Sequence, residues 1–224
     1  MSTPNQLPEQ FEPLEVSKHQ ELKRIKSPGF AFAKNLASVP LAFSEMQAAA
    51  RFFPIVLPQQ GLLSPMALFS LKEDSPNPYV DETGNWKVGY IPICLRLYPF
   101  ILARVEDKET KKDKFVLCID RESDHLSKDE GEPLFTEKGD LSDLTLKTFE
   151  MLKIYQQELS TTQAIFTQLA EKALVVDQEG FKAVDLEKII TLDDAVIAGF
   201  VKNGTMPLIY CHLQSLTHLH QAAS

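Results

Sequence analysis

Hydrophobic and polar positions divide the chain into two regimes. Between Phe52 and Asp120 short apolar runs alternate with turn chemistry, a rhythm that predicts antiparallel strands at Phe53 to Leu57, Met66 to Leu71, Tyr79 to Val80, Trp86 to Tyr90, Phe100 to Glu106 and Lys114 to Asp120. Asp81-Glu82-Thr83-Gly84-Asn85 reads as the turn of one hairpin, with Gly84 free to take a positive φ, and the charged stretch Asp107 to Asp113 as the loop of another. Upstream, Phe30-Ala31-Phe32-Ala33 alternates as a half-buried strand does. Leu41 to Arg51 reads as a compact helix behind Pro40, with Leu41, Glu45 and Ala48 on one side.

The second regime is helical. From Asp143 to Ala173 there is no Gly or Pro, and Leu152, Tyr155, Leu159, Thr162, Phe166, Leu169 and Ala173 recur at spacings of three and four. That stripe predicts one long helix, or two that break near Ser160-Thr161-Thr162. A small hairpin turns at Gly180, Thr191 offers an N-cap for a helix over Leu192 to Lys202, and a last helix begins near Pro207. The predicted class is α+β, an antiparallel sheet in the N-terminal half packed with a helical C-terminal half in a single domain. Residues 1–15 are expected to form an extended arm. Residues 16–224 form the domain, sheet-rich over 30–120, an acidic connector over 121–140 and helical over 141–224.

Composition narrows the function. The chain has 224 residues, 44% of them hydrophobic, with 23 Lys plus Arg against 31 Asp plus Glu for a net charge of −8. That balance fits a folded globular protein and argues against nucleic acid, whose backbone is bound through cations. The basic cluster Lys23, Arg24 and Lys26 reads as a solvated helix face shared with Glu21. Phe52 to Leu71 is uncharged and long, yet Pro54, Pro58, Gly61 and Pro65 interrupt it, so no membrane span is expected. No signal-peptide pattern opens the chain, which points to the cytoplasm, with signal-independent export to the cell surface as the alternative. Cys94, Cys118 and Cys211 are far apart in apolar runs and read as reduced, buried thiols.

Motifs for chemistry are sparse. The acidic run from Asp120 places His125 and Gly131 where an EF-hand needs Gly and Glu. His212, His218 and His220 point to different sides of a helix, so they read as complements to its C-terminal dipole rather than as ligands. There is no Gly-x-Ser-x-Gly and no glycine-rich phosphate loop, and Glu130 and Glu132 read as exposed. No catalytic residues, metal site or cofactor are therefore predicted. One candidate remains. Arg96 sits in the apolar stretch Gly89 to Phe100 and needs an anion, either in an internal ion pair with Glu45, Asp120 or Glu132 or in a binding pocket with Tyr90, Tyr98 and Glu45.

Eight short motifs occur in one order along the chain: Phe30-Ala31-Phe32-Ala33, Ser38-Val39-Pro40-Leu41, Phe53-Pro54-Ile55-Val56, Gly89-Tyr90-Ile91-Pro92, Arg96-Leu97-Tyr98-Pro99-Phe100, Leu117-Cys118-Ile119-Asp120, Glu130-Gly131-Glu132-Pro133-Leu134-Phe135 and Leu208-Ile209-Tyr210-Cys211-His212-Leu213. In these the chain resembles the bacterial SapC-like family over roughly residues 11 to 220, with a shorter stretch than is usual there between Leu174 and Thr191. The resemblance implies a link to surface layers, from which the label derives, and to loci encoding TonB-dependent receptors, cupin-like proteins and flavin-dependent tryptophan-halogenase-like enzymes. It brings no catalytic residues. The resulting expectation is a soluble, non-catalytic accessory or binding protein with a protein, peptide or small-molecule partner. Two alternatives are a surface-layer structural component and an enzyme or modification partner using a pocket around Arg96.

Overall fold

A computed structural model of the chain describes residues 9–26, 28–71, 75–106 and 113–222. Its elements are β1 (Phe11–Pro13), α1 (Val16–His19), β2 (Lys23–Arg24), β3 (Ser38–Pro40), α2 (Phe43–Ala49), β4 (Ile55–Val56) and β5 (Met66–Leu68). There follow α3 (Ile93–Leu97), β6 (Phe100–Glu106), β7 (Asp113–Asp120), β8 (Leu126–Ser127), β9 (Glu132–Pro133) and α4 (Asp143–Glu171). The C-terminal part holds β10 (Val175–Asp177), β11 (Lys182–Val184), α5 (Leu186–Ile190), α6 (Asp194–Lys202), α7 (Thr205–Ser215) and α8 (Leu219–Ala222). Antiparallel sheets in the N-terminal half and helices in the C-terminal half make the class α+β. Contacts divide the chain into two compact units, one of residues up to Gly29 with 94–156 and one of residues 30–93 with 157–224.

In the first unit β6 and β7 pair antiparallel from Phe100↔Ile119 to Glu106↔Asp113, as their apolar runs predict. Of the loop expected over Asp107 to Asp113, residues 107–112 lie outside the described residues, as does the start of the expected arm. The arm's described part is extended because β1 joins the other edge of β7, Phe11 facing Asp120. A second small sheet places β2 between β8 and β9, which corrects two expectations. The cluster around Arg24 is strand rather than a solvated helix face, and the acidic connector holds strands as well as turns. Gly131, with φ 114°, is needed there, since a Cβ would come within 2.4 Å of the Arg24 carbonyl. Leu95, Phe100, Leu117, Ile119, Leu134 and Leu152 are buried in this unit.

In the second unit β5 lies between β3 and β4, and an antiparallel bridge between Leu57 and Lys182 carries the ladder on into the hairpin of β11 and β10. Phe53 centres an aromatic cluster, its ring 4.8 Å from Tyr79, 5.5 Å from Phe69 and 6.0 Å from Trp86. That packing overrides period-two alternation at Phe30 to Ala33. Phe30 stacks 5.7 Å from Trp86 and its N–H binds the Gly84 carbonyl, and Ala31–Ala33 closes as a 3-10 turn instead of a strand. Trp86 to Tyr90 is likewise not a strand: only Val80↔Trp86 bridges, and the indole N–H donates to the Tyr90 carbonyl. Gly84 takes φ 88° in the expected turn.

The long helix α4 is continuous, because Thr161 and Thr162 donate back to the carbonyls of Gln157 and Glu158 without interrupting the ladder. Thr191 does not cap α6; its hydroxyl binds the Lys188 carbonyl and α6 starts at Asp194. The unforeseen α5 is capped by Asp185, which accepts from the N–H groups of Glu187 and Lys188. Among the described residues no helix is long and apolar enough to cross a membrane.

Candidate functional site

Glu45 and Tyr90, two of the residues expected around a pocket, meet in the second unit. Glu45 is 2% exposed and sits at the third position of α2. One carboxylate oxygen reaches back to the Ala42 N–H at 3.1 Å. That is half of a capping box, for Ala42 has no side-chain acceptor to return the bond. The other oxygen accepts from the Tyr90 hydroxyl at 2.9 Å and from the Ile93 N–H at 2.7 Å, so Glu45 holds the first residue of α3. A carboxylate there complements the positive end of a helix dipole.

Arg96 and Tyr98 lie in the first unit, where the internal ion pair that was one of the two roles expected of Arg96 is not formed. Its side chain is exposed, and among the described residues no carboxylate pairs with it. The cation that is sequestered is Arg24, on β2. Its guanidinium donates to the carbonyls of Arg96 at 2.9 Å and Tyr98 at 3.2 Å and lies 5.7 Å over the Phe100 ring. Burial lowers its pKa, with Glu132 opposing the shift. Glu132, one of the partners expected for Arg96, instead lies beside Arg24 and pairs with Lys26 at 3.2 Å. The Tyr98 hydroxyl donates to Asp120 at 2.8 Å, and burial first, then Asp120, pushes its pKa up to about 12. The buried His125 ring stands edge-on to Tyr98 at 4.8 Å, and burial lowers its pKa. Asp120 also closes a turn by accepting from the Glu122 N–H.

A further polar group lies deep in the second unit. His212, on α7, is fully buried. Its Nδ1 donates to the Ile55 carbonyl at 2.8 Å and its Nε2 accepts from the Val184 N–H at 3.0 Å. These two contacts fix the neutral tautomer, and burial lowers the pKa to about 4. The Ile55 N–H is bound by the Ser215 hydroxyl, which itself donates to the His212 carbonyl. One turn of α7 thus supplies a rung of the β4 to β11 seam beside the Leu57–Lys182 bridge. This corrects the reading of His212 as a dipole complement. The sequence signal was available in part: a His and a Ser three apart, flanked by apolar residues, mark a polar stripe on a buried helix face.

These arrangements bind mainly main-chain groups. Among the described residues every buried side-chain nitrogen and oxygen has a partner. No group of three His, Cys, Asp or Glu side chains is placed there to hold a metal. Only Cys118 of the cysteines is buried; Cys94 and Cys211 are partly exposed, which corrects the expectation of three buried thiols.

A concave surface of the second unit is a groove of about 750 Å³ between α2 and α7. Phe43, Ala50, Leu208 and Tyr210 give it an apolar lining, while Gln47, Gln214 and Arg51 supply polar groups. The Ser44 hydroxyl, also in the lining, donates to Glu158. A surface of this kind can take up an apolar segment and orient it by a few polar contacts.

An α+β chain with paired polar interior groups and an open interhelical groove is thus the class that fold and site define. The family model described as SapC matches residues 14–221, and the chain belongs to that family. No curated protein and no solved structure matches it.

Proposed function

We propose that the chain is a non-catalytic accessory protein, working in the cytoplasm, that binds a partner in the physiology of bacterial TonB-dependent uptake. The observation that carries the binding part is the contrast between its interior and its groove. Glu45, Arg24, Asp120 and His212 each bind main-chain groups of their own unit, whereas the groove between α2 and α7 leaves aromatic surface, two amides and a guanidinium facing outward. Catalytic groups need to face a substrate position. The link to uptake loci is what the resemblance to the SapC-like family implies, and the family match over residues 14–221 supports that resemblance. Affinity purification from the native host at endogenous expression tests the proposal. The expected result is repeatable recovery of a component of the uptake machinery with the cytosolic fraction. Recovery of the chain only in the cell-surface layer would overturn it in favour of the structural alternative.

A further inference from the structure

We propose that the groove between α2 and α7 holds an apolar peptide segment of a partner protein, oriented by a carboxylate placed against Arg51. This deepens the binding reading above and rests on it. Phe43 and Tyr210 line the groove yet are 38% and 48% exposed, so an occupant that covers them gains the free energy of burying large rings. Gln47 and Gln214 offer donors and acceptors suited to the main chain or amides of a peptide. Two neighbouring helices form a trough for a third, and α2, seven residues long, spans roughly 10 Å, about two turns of such an occupant.

Arg51 supplies the charge argument. It follows α2, is exposed, and has no carboxylate within ion-pair distance among the described residues. Arg96 shares that property, but Arg51 is the charged residue in the lining of the groove. In a chain of net charge −8, a guanidinium left without a carboxylate beside an apolar trough complements an acidic group on the occupant, and its planar fork can take both carboxylate oxygens.

The test uses a random-peptide display library panned on the immobilised full chain. Enriched peptides are then measured by fluorescence anisotropy against the wild type, Arg51→Glu and Ala50→Trp. The expected winners carry Asp or Glu beside Leu, Phe or other large apolar residues. Arg51→Glu should weaken them by about tenfold or more and favour versions with Lys in place of the acid. Ala50→Trp, which fills the groove, should abolish binding, while the exposed Arg51→Glu guards against a folding failure in the former. No enrichment, winners without an acidic residue, or undiminished binding to both variants would overturn the inference. So would sedimentation showing that the groove closes a dimer of the chain itself. A partner recovered from the native host equally well with wild type and both variants would sink the groove assignment while sparing the binding function.

Discussion

The two compact units solve one physical problem with opposite charges. The first draws a cation, Arg24, out of water against the carbonyls of Arg96 and Tyr98; the second buries an anion, Glu45, against the N–H groups of Ala42 and Ile93 and the hydroxyl of Tyr90. In both, main-chain dipoles do most of what a counter-ion is usually expected to do. In each unit the sense is the one a helix terminus favours, an anion at N–H groups and a cation at carbonyls. The difference lies in degree of withdrawal. Glu45 is almost completely covered, whereas Arg24 keeps part of its surface in solvent and feels Glu132 as well. Losing the anion should therefore cost more than losing the cation.

Glu45→Ala breaks the comparison most severely. It takes the acceptor from the Ala42 and Ile93 N–H groups and one bond from the Tyr90 hydroxyl, at about 1 to 3 kcal/mol for each buried group left unpaired, so a loss of roughly 4 kcal/mol is expected by urea unfolding. Glu45→Gln keeps one acceptor oxygen and should recover about half of that. Equal stability of Glu45→Ala and wild type would refute the anchoring role.

His212 carries the same logic with a neutral ring, and pH exposes it. The native state keeps its imidazole neutral down to about 4, while an unfolded histidine takes up a proton near 6.5. Between those values the unfolded chain binds more protons, so stability is complete above 6.5, falls as pH falls, and reaches its full loss near 4. The loss amounts to roughly 3 kcal/mol. His125, also lowered by burial, adds in the same direction. His212→Phe should start roughly 3 kcal/mol less stable at neutral pH, with the Ile55 carbonyl and Val184 N–H unpaired, and should show a shallower acid slope. A parallel pH profile for the two proteins would show that another group sets the acid limit.

How far the sequence discloses these features depends on the range of the interaction that makes them. The paired runs of β6 and β7 and the stripe of α4 were legible because a strand or helix period is written locally. Phe30 to Ala33 misled because four residues of alternation are weaker than the packing of Phe30 on Trp86. Within the candidate site, Glu45 and Tyr90 were named as companions of Arg96, and they bond to each other instead. The internal ion pair offered for Arg96 is not formed among the described residues, for a specific reason. Ion-pair reasoning looks for an oppositely charged side chain, but the groups that hold Arg24 are carbonyls, which every residue carries. The seam at His212 and the groove between α2 and α7 join segments far apart in sequence, so neither has a local signature.

Substitution of the two arginines sharpens the comparison at its small end. Arg24→Met removes both bonds to the α3 end and the cation over Phe100, and about 1 to 2 kcal/mol should be lost; Arg24→Lys keeps the charge but not the fork and should fall between Met and wild type. Arg96→Met should change stability by less than about 0.5 kcal/mol, since its side chain is exposed and only its carbonyl is used, and the main chain survives the change. Measured side by side, the pair decides which arginine the fold depends on. A large loss at Arg96 with none at Arg24 would return Arg96 to the interior role its apolar neighbours suggested. The expected order instead places Arg96 on the surface, where its side chain is free to change without disturbing the helix that its backbone helps to anchor.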